Sequence, residues 1–209
     1  MKLIYATPSP FARKVRVALR EKGIACDEQV DVPWNAATAT TDHNPLGKVP
    51  VLITDGDETY FDSGVIIEYL ETLGIDPVLI PADGAERVAV RQMEALADGI
   101  CDAVVLMVLE EHRPQALQSA DWIGRQQAKV ERGTAALNTH LDDMNWLAGG
   151  TFRLTHIAAG CALAYLDLRR PGFQWRTRYP QLAAFSNAME QRPSFAATQP
   201  EIQAIQTVK

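Results

Sequence analysis

A serine stands between two prolines in Thr7-Pro8-Ser9-Pro10, directly before a helical pattern. Serine is a favoured helix cap and proline suits the first helical position, so a cap alone explains the pair. A helix N-terminus also carries partial positive charge and free N–H groups, and a hydroxyl held there can donate to a thiolate. Thr7 is the neighbouring rival hydroxyl. A second stretch, Lys48-Val49-Pro50-Val51, enters a strand. Its lysine is either a solvated loop cation or the partner of a carboxylate. A third stretch, Asp62-Ser63, opens a helix, as an ordinary start or as a clamp for a charged ligand. The histidines, His43, His112, His140 and His156, are isolated; no metal-ligand spacing is present and no metal is expected.

The composition bounds what these groups can serve. The 209 residues allow one large domain or two modest ones with real cores. Hydrophobic residues at 47% and charged residues at 22% are an ordinary globular balance. A net charge of -6 argues against a general nucleic-acid binder, because no global positive field exists to neutralise phosphates. It leaves room for a small anion held by a few local groups. No apolar run approaches the roughly 18 residues of a membrane span. The N-terminus, one lysine and then a strand-like segment, is not expected to be a signal peptide. Cys26, Cys101 and Cys161 are far apart and form no CxxC pair, which suits a reducing compartment and buried packing roles.

The elements that must position these residues alternate at first. Leu3-Ile4-Tyr5 reads as a strand. Pro10 to Lys22 reads as a helix with Phe11, Val15, Ala18 and Leu19 on one face, stopped by Gly23. Glu28 to Val32 suits a second strand, and Trp34 to His43 is poorly patterned. Val51-Leu52-Ile53 and Thr59-Tyr60-Phe61 flank an Asp-Gly turn and make a hairpin. Ser63 then opens a helix with Val65, Ile66, Tyr69, Leu70 and Leu73 as its apolar stripe. The basic set Arg13, Lys14, Arg16, Arg20 and Lys22 reads as a solvated or salt-bridged helix face. The stretch from Gly74 to Gly84 is rich in Pro, Gly and Asp and reads as a linker. Beyond it helices dominate: roughly Glu86 to His112, Asp121 to Trp146, Thr155 to Arg169 and Pro180 to Gln191. The expected architecture is an α/β N-terminal domain of order β-α-β then β-β-α over 1–75, a linker over 76–85, and an all-α helical bundle over 86–209.

In that order and spacing, SPFARKVRVALREKGI, NPLGKVPVL and FDSGVIIEYL resemble the cytosolic glutathione S-transferase family. ALAYLDLR and the late RPSFAAT look like that family's helical half, so the resemblance covers essentially the whole chain. It implies a thioredoxin-like N-terminal domain followed by a helical one. The serine before Pro-Phe resembles the serine-type enzymes, particularly the plant tau class and related bacterial members. The resemblance implies that Ser9 donates a hydrogen bond to the thiolate of glutathione, with Phe11 as an aromatic wall. It implies a cis Val49–Pro50 bond that turns the Val49 backbone outward to pair with glutathione's cysteine residue. Lys48 would meet the glycyl carboxylate. Ser63 and its helix N–H groups would take the γ-glutamyl carboxylate, and Asp62 the ammonium. The family more often has Glu than Asp at this position; aspartate is one methylene shorter, so a weaker or water-bridged contact is expected here.

A second substrate is expected between the domains, over the sulfur. Trp34, Met107, His112, Tyr165 and Leu168 are its candidate lining by analogy and helix position. One departure stands out. The family opens its central buried helix with a Ser/Thr-x-x-Asp capping box, and Arg153-Leu154-Thr155-His156 stands there instead. A later start capped by Thr155, or a less stable helix, is the expected consequence. The resemblance implies a cytoplasmic, homodimeric detoxification transferase. Glutathione is its co-substrate and a small hydrophobic electrophile its other substrate, with neither nucleic acid nor membrane as partner. Glutathione-dependent peroxidase, isomerase or lyase chemistry and a non-catalytic interaction protein are the alternatives. A disulfide reductase fits poorly, because a serine forms no mixed disulfide.

Overall fold

The computed structural model describes residues 1–143 and 151–204, which group into two compact units. Unit 1 comprises Met1–Ile80 and the C-terminal segment from Arg192; unit 2 is Pro81–Gln191.

Unit 1 is built on β1 (Lys2–Tyr5), α1 (Pro10–Glu21), β2 (Asp27–Val30), α2 (Thr40–His43), β3 (Val51–Ile53), β4 (Thr59–Tyr60) and α3 (Ser63–Thr72). The strands form one sheet of order β2-β1-β3-β4. β2 runs parallel to β1, while β3 is antiparallel to both β1 and β4. The parallel pair needs a crossover, which α1 supplies; the antiparallel pair needs only the Asp-Gly turn. Leu3, Ile4 and Leu52 from the sheet, Val15, Ala18 and Leu19 from α1, and Ile66 and Leu70 from α3 form the core. The second strand starts and ends earlier than its pattern indicated. Asp31 lies past its end and binds α2 instead: one carboxylate oxygen accepts from Thr40 N at 2.9 Å, from Thr40 Oγ1 at 2.6 Å and from Thr38 Oγ1 at 2.7 Å. The stretch before His43 lacks an apolar period because these polar contacts order it.

Of the two readings of α1's cationic face, solvated or salt-bridged, the structure shows the second. Arg13, Lys14, Arg16 and Lys22 are all buried. Arg16 and Arg20 share Glu28 of β2, and Lys22 Nζ meets Glu71 of α3 at 2.9 Å. Lys22 also donates to the carbonyls of Ile75 and Pro77, which ties the Pro-rich linker back to α1 and carries unit 1 on to Ile80.

The sequence also indicated a second domain through residue 209, whereas the described residues from Arg192 to 204 pack in unit 1. A short helix, α9 (Pro193–Ala196), lies against α1. Arg192 and Ser194 hydrogen-bond Glu21, and Arg13 Nη2 donates to Phe195 O at 3.1 Å. Glu21 is held below the usual carboxylate range: burial raises its pKa, and the hydrogen bonds from Arg192 and Ser194 together outweigh that.

Unit 2 contains α4 (Gly84–Glu111), a 3₁₀ turn (Gln115–Leu117), α5 (Ala120–Asp143), α6 (Leu154–Arg169), α7 (Trp175–Arg178) and α8 (Pro180–Glu190). The sequence expectation that the second helix runs to Trp146 extends past Asp143, outside the described residues. Helices α4, α5 and α6 make the bundle's main contacts. At the α4–α5 crossing a Cβ on Gly133 would come within 2.6 Å of Ile100 Cγ1, so glycine is what lets these helices approach. α6 begins at Leu154 rather than after Thr155. His156 is the reason: its Nδ1 accepts the Arg153 backbone N–H at 3.1 Å, which is the N3 half of a capping box. A guanidinium offers no acceptor for the other half.

No helix among the described residues is long and apolar enough to cross a membrane.

Candidate functional site

Ser9 caps α1 with extended backbone, and its Oγ accepts from Ala12 N at 3.2 Å. That use occupies a lone pair and leaves the O–H free to donate, so capping and ligand binding are compatible. Ser9 is half-buried. Its rival is committed elsewhere: Thr7 Oγ1 donates to Glu201 O at 3.1 Å, fastening the C-terminal segment of unit 1.

Sheet register brings the remaining stretches to the same end. Ile4 pairs with Val51, and Leu52 with Tyr60. Continuing both registers sets Pro50 level with Tyr5 on one side and with Asp62 on the other. The loop leading to Ser9, the loop entering β3 and the start of α3 therefore meet at one end of the central strands. The Val49–Pro50 peptide is cis, as the resemblance implied. The Phe61–Asp62 peptide is also cis, which no local signal indicated.

The entry loop has an organiser that the sequence reading passed over. Asn44 is buried; its Nδ2 donates to Lys48 O at 2.8 Å and its Oδ1 accepts from Leu46 N at 3.0 Å. Gly47 takes a positive φ of 60° between them, a conformation open to glycine. The Asn-Pro at 44–45 was the available signal, as a turn initiator. Lys48 itself is exposed.

At α3, Asp62 is the N-cap and its Oδ1 accepts from Gly64 N at 2.7 Å. Asp62 is exposed, and its second carboxylate oxygen remains for a ligand. Ser63 differs. It is 1% exposed, and its Oγ has no hydrogen-bond partner among the described residues. A buried hydroxyl without a partner is costly, and in a native protein it calls for an explanation. Here it sits in the first turn of a helix, beside N–H groups that carry the dipole's positive end.

The residues expected to line a second-substrate pocket are spread over both units. Trp34 is exposed in unit 1. In unit 2, Met107 and Tyr165 are buried on the packed helices α4 and α6, and Leu168 is half-buried. Burial pushes the Tyr165 hydroxyl up, so it stays protonated at neutral pH. His112 is exposed at the C-cap of α4, and its Nδ1 lies 2.7 Å from Val108 O. Phe11 is partly exposed in the first turn of α1, next to Ser9.

Of the cysteines, Cys101 and Cys161 are buried, whereas Cys26 is only half-buried. Desolvation pushes the Cys26 thiol up to about 11, against a smaller opposing pull from the N-terminal ammonium. It is therefore no nucleophile at neutral pH. Among the described residues no group of three or more His, Cys, Asp or Glu side chains is arranged to hold a metal ion.

The chain matches two family models, "Glutathione S-transferase, N-terminal domain" over residues 8–73 and "Glutathione S-transferase, C-terminal domain" over residues 120–188. It is 42% identical over 200 residues to the uncharacterized GST-like protein YibF of Escherichia coli, covering 96% of this chain and 98% of that one. It is 32% identical to the maleylacetoacetate isomerase of Pseudomonas aeruginosa, covering 71% and 73% of the two chains. A crystal structure of a glutathione S-transferase from Methylobacterium radiotolerans, in complex with glutathione sulfonate, superposes with a TM-score of 0.95. The two are 45% identical, covering 100% of this chain and 98% of that one.

Proposed function

The chain belongs to the glutathione S-transferase family, and from that premise we propose that it binds glutathione at this end of the sheet, stabilises the sulfur as a thiolate through Ser9, and conjugates it to a small hydrophobic electrophile. The observation that carries the reading is the buried Oγ of Ser63 at the start of α3, which has no partner among the described residues. It is a donor in place for a carboxylate, level with a cis-proline loop and a capping serine.

In this reading the γ-glutamyl carboxylate takes the Ser63 hydroxyl and the free N–H groups of α3, and its ammonium takes the second oxygen of Asp62. The outward backbone of Val49 pairs with the cysteinyl residue, and Lys48 meets the glycyl carboxylate. The thiol then lies at the N-terminus of α1. A free thiol ionises near 8.5, so only a few per cent is thiolate at neutral pH. Lowering that value by about two units requires roughly 2.7 kcal/mol in favour of the anion. A charge-assisted hydrogen bond from Ser9 contributes about 1.5–3 kcal/mol, and the α1 dipole adds to it. Ser9 is a donor in this scheme, not a base. Positioning and thiolate stabilisation are the enzyme's contribution to the attack. The family also supports a homodimer, a cytoplasmic location and a role in detoxification.

Glutathione-dependent isomerisation is the second reading, favoured by the likeness to the Pseudomonas isomerase. It uses the same thiolate with a different second substrate.

The test is an ultraviolet titration of the glutathione thiolate bound to wild-type protein and to Ser9→Ala. The wild-type thiol is expected to ionise well below its free value. In the variant, binding stays within a few-fold while the thiol pKa rises and turnover falls. An unchanged thiol pKa in Ser9→Ala overturns Ser9 as the thiolate donor, and absence of glutathione binding overturns the transferase reading.

A further inference from the structure

The turn that presents Ser9 is gripped by the far end of the chain. Ser9 N donates to Ala6 O at 3.0 Å, which closes a turn with Thr7 and Pro8 at its centre. That turn leads from β1 into α1. Thr7 Oγ1 donates to Glu201 O at 3.1 Å, and Glu201 N donates back to Thr7 O at 3.4 Å. Two residues on, Gln203 Nε2 donates to Asp31 O at 3.4 Å, just past the end of β2. The segment therefore ties down the loops that follow both β1 and β2. Its earlier part is fixed to α1, the helix that Ser9 caps: Arg192 and Ser194 bond Glu21, and Phe195 O accepts from Arg13. Thr198 Oγ1 donates to Ser194 O at 2.8 Å and closes α9. All of these contacts lie inside unit 1.

A terminal segment needs some anchor to stay ordered, but nothing requires that anchor to be the centre of this turn. The two prolines give the choice a consequence. Pro8 and Pro10 each fix their own φ and hold the residue before them extended. Ser9 shows this directly, with φ -69° and ψ 117°. The backbone from Thr7 to Pro10 is therefore stiff, and a shift at Thr7 is passed on to Ser9 rather than absorbed between them. The cap does not hold the hydroxyl tightly by itself, because the bond from Ala12 N is 3.2 Å, at the long end of the usual range. Small displacements matter at such a group: a misplacement of about 1 Å can cost about 100-fold in rate.

We propose that Thr7 is a positioning residue for Ser9. Its hydroxyl, bonded to the Glu201 carbonyl, holds the Ala6–Ser9 turn where the Ser9 hydroxyl meets the sulfur of glutathione. Thr7 touches neither substrate nor sulfur in this scheme and acts only through the turn. Glu201 contributes backbone atoms alone, so the tie does not depend on its carboxylate. The inference rests on the transferase reading, since it takes Ser9 as the thiolate donor.

The test is an ultraviolet titration of the thiol of bound glutathione in full-length wild type, Thr7→Val and Thr7→Ser, with glutathione affinity read by calorimetry. Valine keeps the shape of threonine at a half-buried position and removes only the donor. One neutral hydrogen bond biases a turn by about two- to tenfold. The bound thiol pKa is therefore expected to rise by about 0.4–1 unit in Thr7→Val. Affinity for glutathione stays within a few-fold, because the groups read as holding its charged ends lie at α3 and in the loop before β3. Thr7→Ser keeps the donor and is expected to keep the wild-type thiol pKa. A hydroxyl that only fastens the segment would lower the urea midpoint of Thr7→Val and leave the thiol pKa alone, and that result overturns the proposal. A raised pKa in Thr7→Ser equal to that in Thr7→Val overturns it as well. Should Thr7→Val fail to fold, Thr7→Ala carries the same test with the same expected shift. A wild-type thiol that ionises at its free value sinks the transferase reading and this inference with it; a shifted wild-type thiol that the variant leaves in place sinks this inference alone.

Discussion

Replacing Ser63 by alanine separates a binding hydroxyl from a structural one. In the free protein Ser63 Oγ is buried, 1% of the residue is exposed, and the oxygen has no partner among the described residues. Burying a hydroxyl unpaired costs about 1–3 kcal/mol. Removing it abolishes that cost and leaves a space smaller than a methyl group, so the free variant is expected to equal the wild type or exceed it by up to about 1 kcal/mol. The α3 cap is untouched, because Asp62 supplies it. Binding moves the other way. A hydroxyl donating to a carboxylate contributes about 1.5–3 kcal/mol, so the dissociation constant for glutathione rises about 10- to 100-fold. Urea denaturation without ligand reads the first effect, and calorimetric titration with glutathione reads the second. A variant that loses 1 kcal/mol or more of stability while binding glutathione as the wild type does would refute the reasoning, since Ser63 would then have a partner inside the protein.

Two further outcomes follow from the packing of each unit. In unit 1, Glu21 and Glu28 are both held below the usual carboxylate range: burial raises them, and hydrogen bonds and ion pairs with Arg192, Ser194, Arg20 and Arg16 more than offset it. Their folded pKa values are depressed, so their contribution is full above the ordinary value of 4.5 and is lost as pH falls through the folded values. Glu21→Gln is therefore expected to cost about 1–2 kcal/mol at pH 7, discounted for the partial exposure of Arg192, and to lose stability less steeply below pH 4.5 than the wild type; urea midpoints at pH 7 and below 4.5 check both, and parallel acid curves would count against the linkage. In unit 2, Gly133→Ala gains up to about 1 kcal/mol of helix propensity but drives a methyl to 2.6 Å from Ile100 Cγ1, an overpacking cost of about 1–3 kcal/mol. The net loss is expected to lower the thermal midpoint, and Ile100→Ala, which removes the clashing Cγ1, is expected to cost less in that background than in the wild type.

What could be read in the sequence was local. Proline after Ser9 and the apolar face of Val15, Ala18 and Leu19 suffice to start and orient α1, because capping and a 3.6-residue period involve neighbours within a turn or two. The Asp-Gly turn defines the hairpin for the same reason. His156 shows the limit of a pattern: the residue that broke the expected capping box supplies half of it, since a neutral imidazole nitrogen accepts a hydrogen bond as a carboxylate does. The cations of α1 show another. Arg16, Arg20 and Lys22 read equally as a solvated or a salt-bridged face, and only Glu28 and Glu71, arriving from other elements, decide for the second.

The sequence by itself determined the order of elements, the cap at Ser9, the family resemblance and the residue types that could meet a charged tripeptide. Tertiary structure alone decided that the loops carrying Ser9 and Pro50 and the start of α3 lie at one end of the central strands, because register depends on hydrogen bonds between strands far apart in the chain. It alone decided that Thr7 is spent on Glu201, that Asn44 holds Lys48, and that the Oγ of Ser63 is left without a partner among the described residues. Whether a polar atom is satisfied depends on everything packed around it, and no local stretch of sequence contains that information.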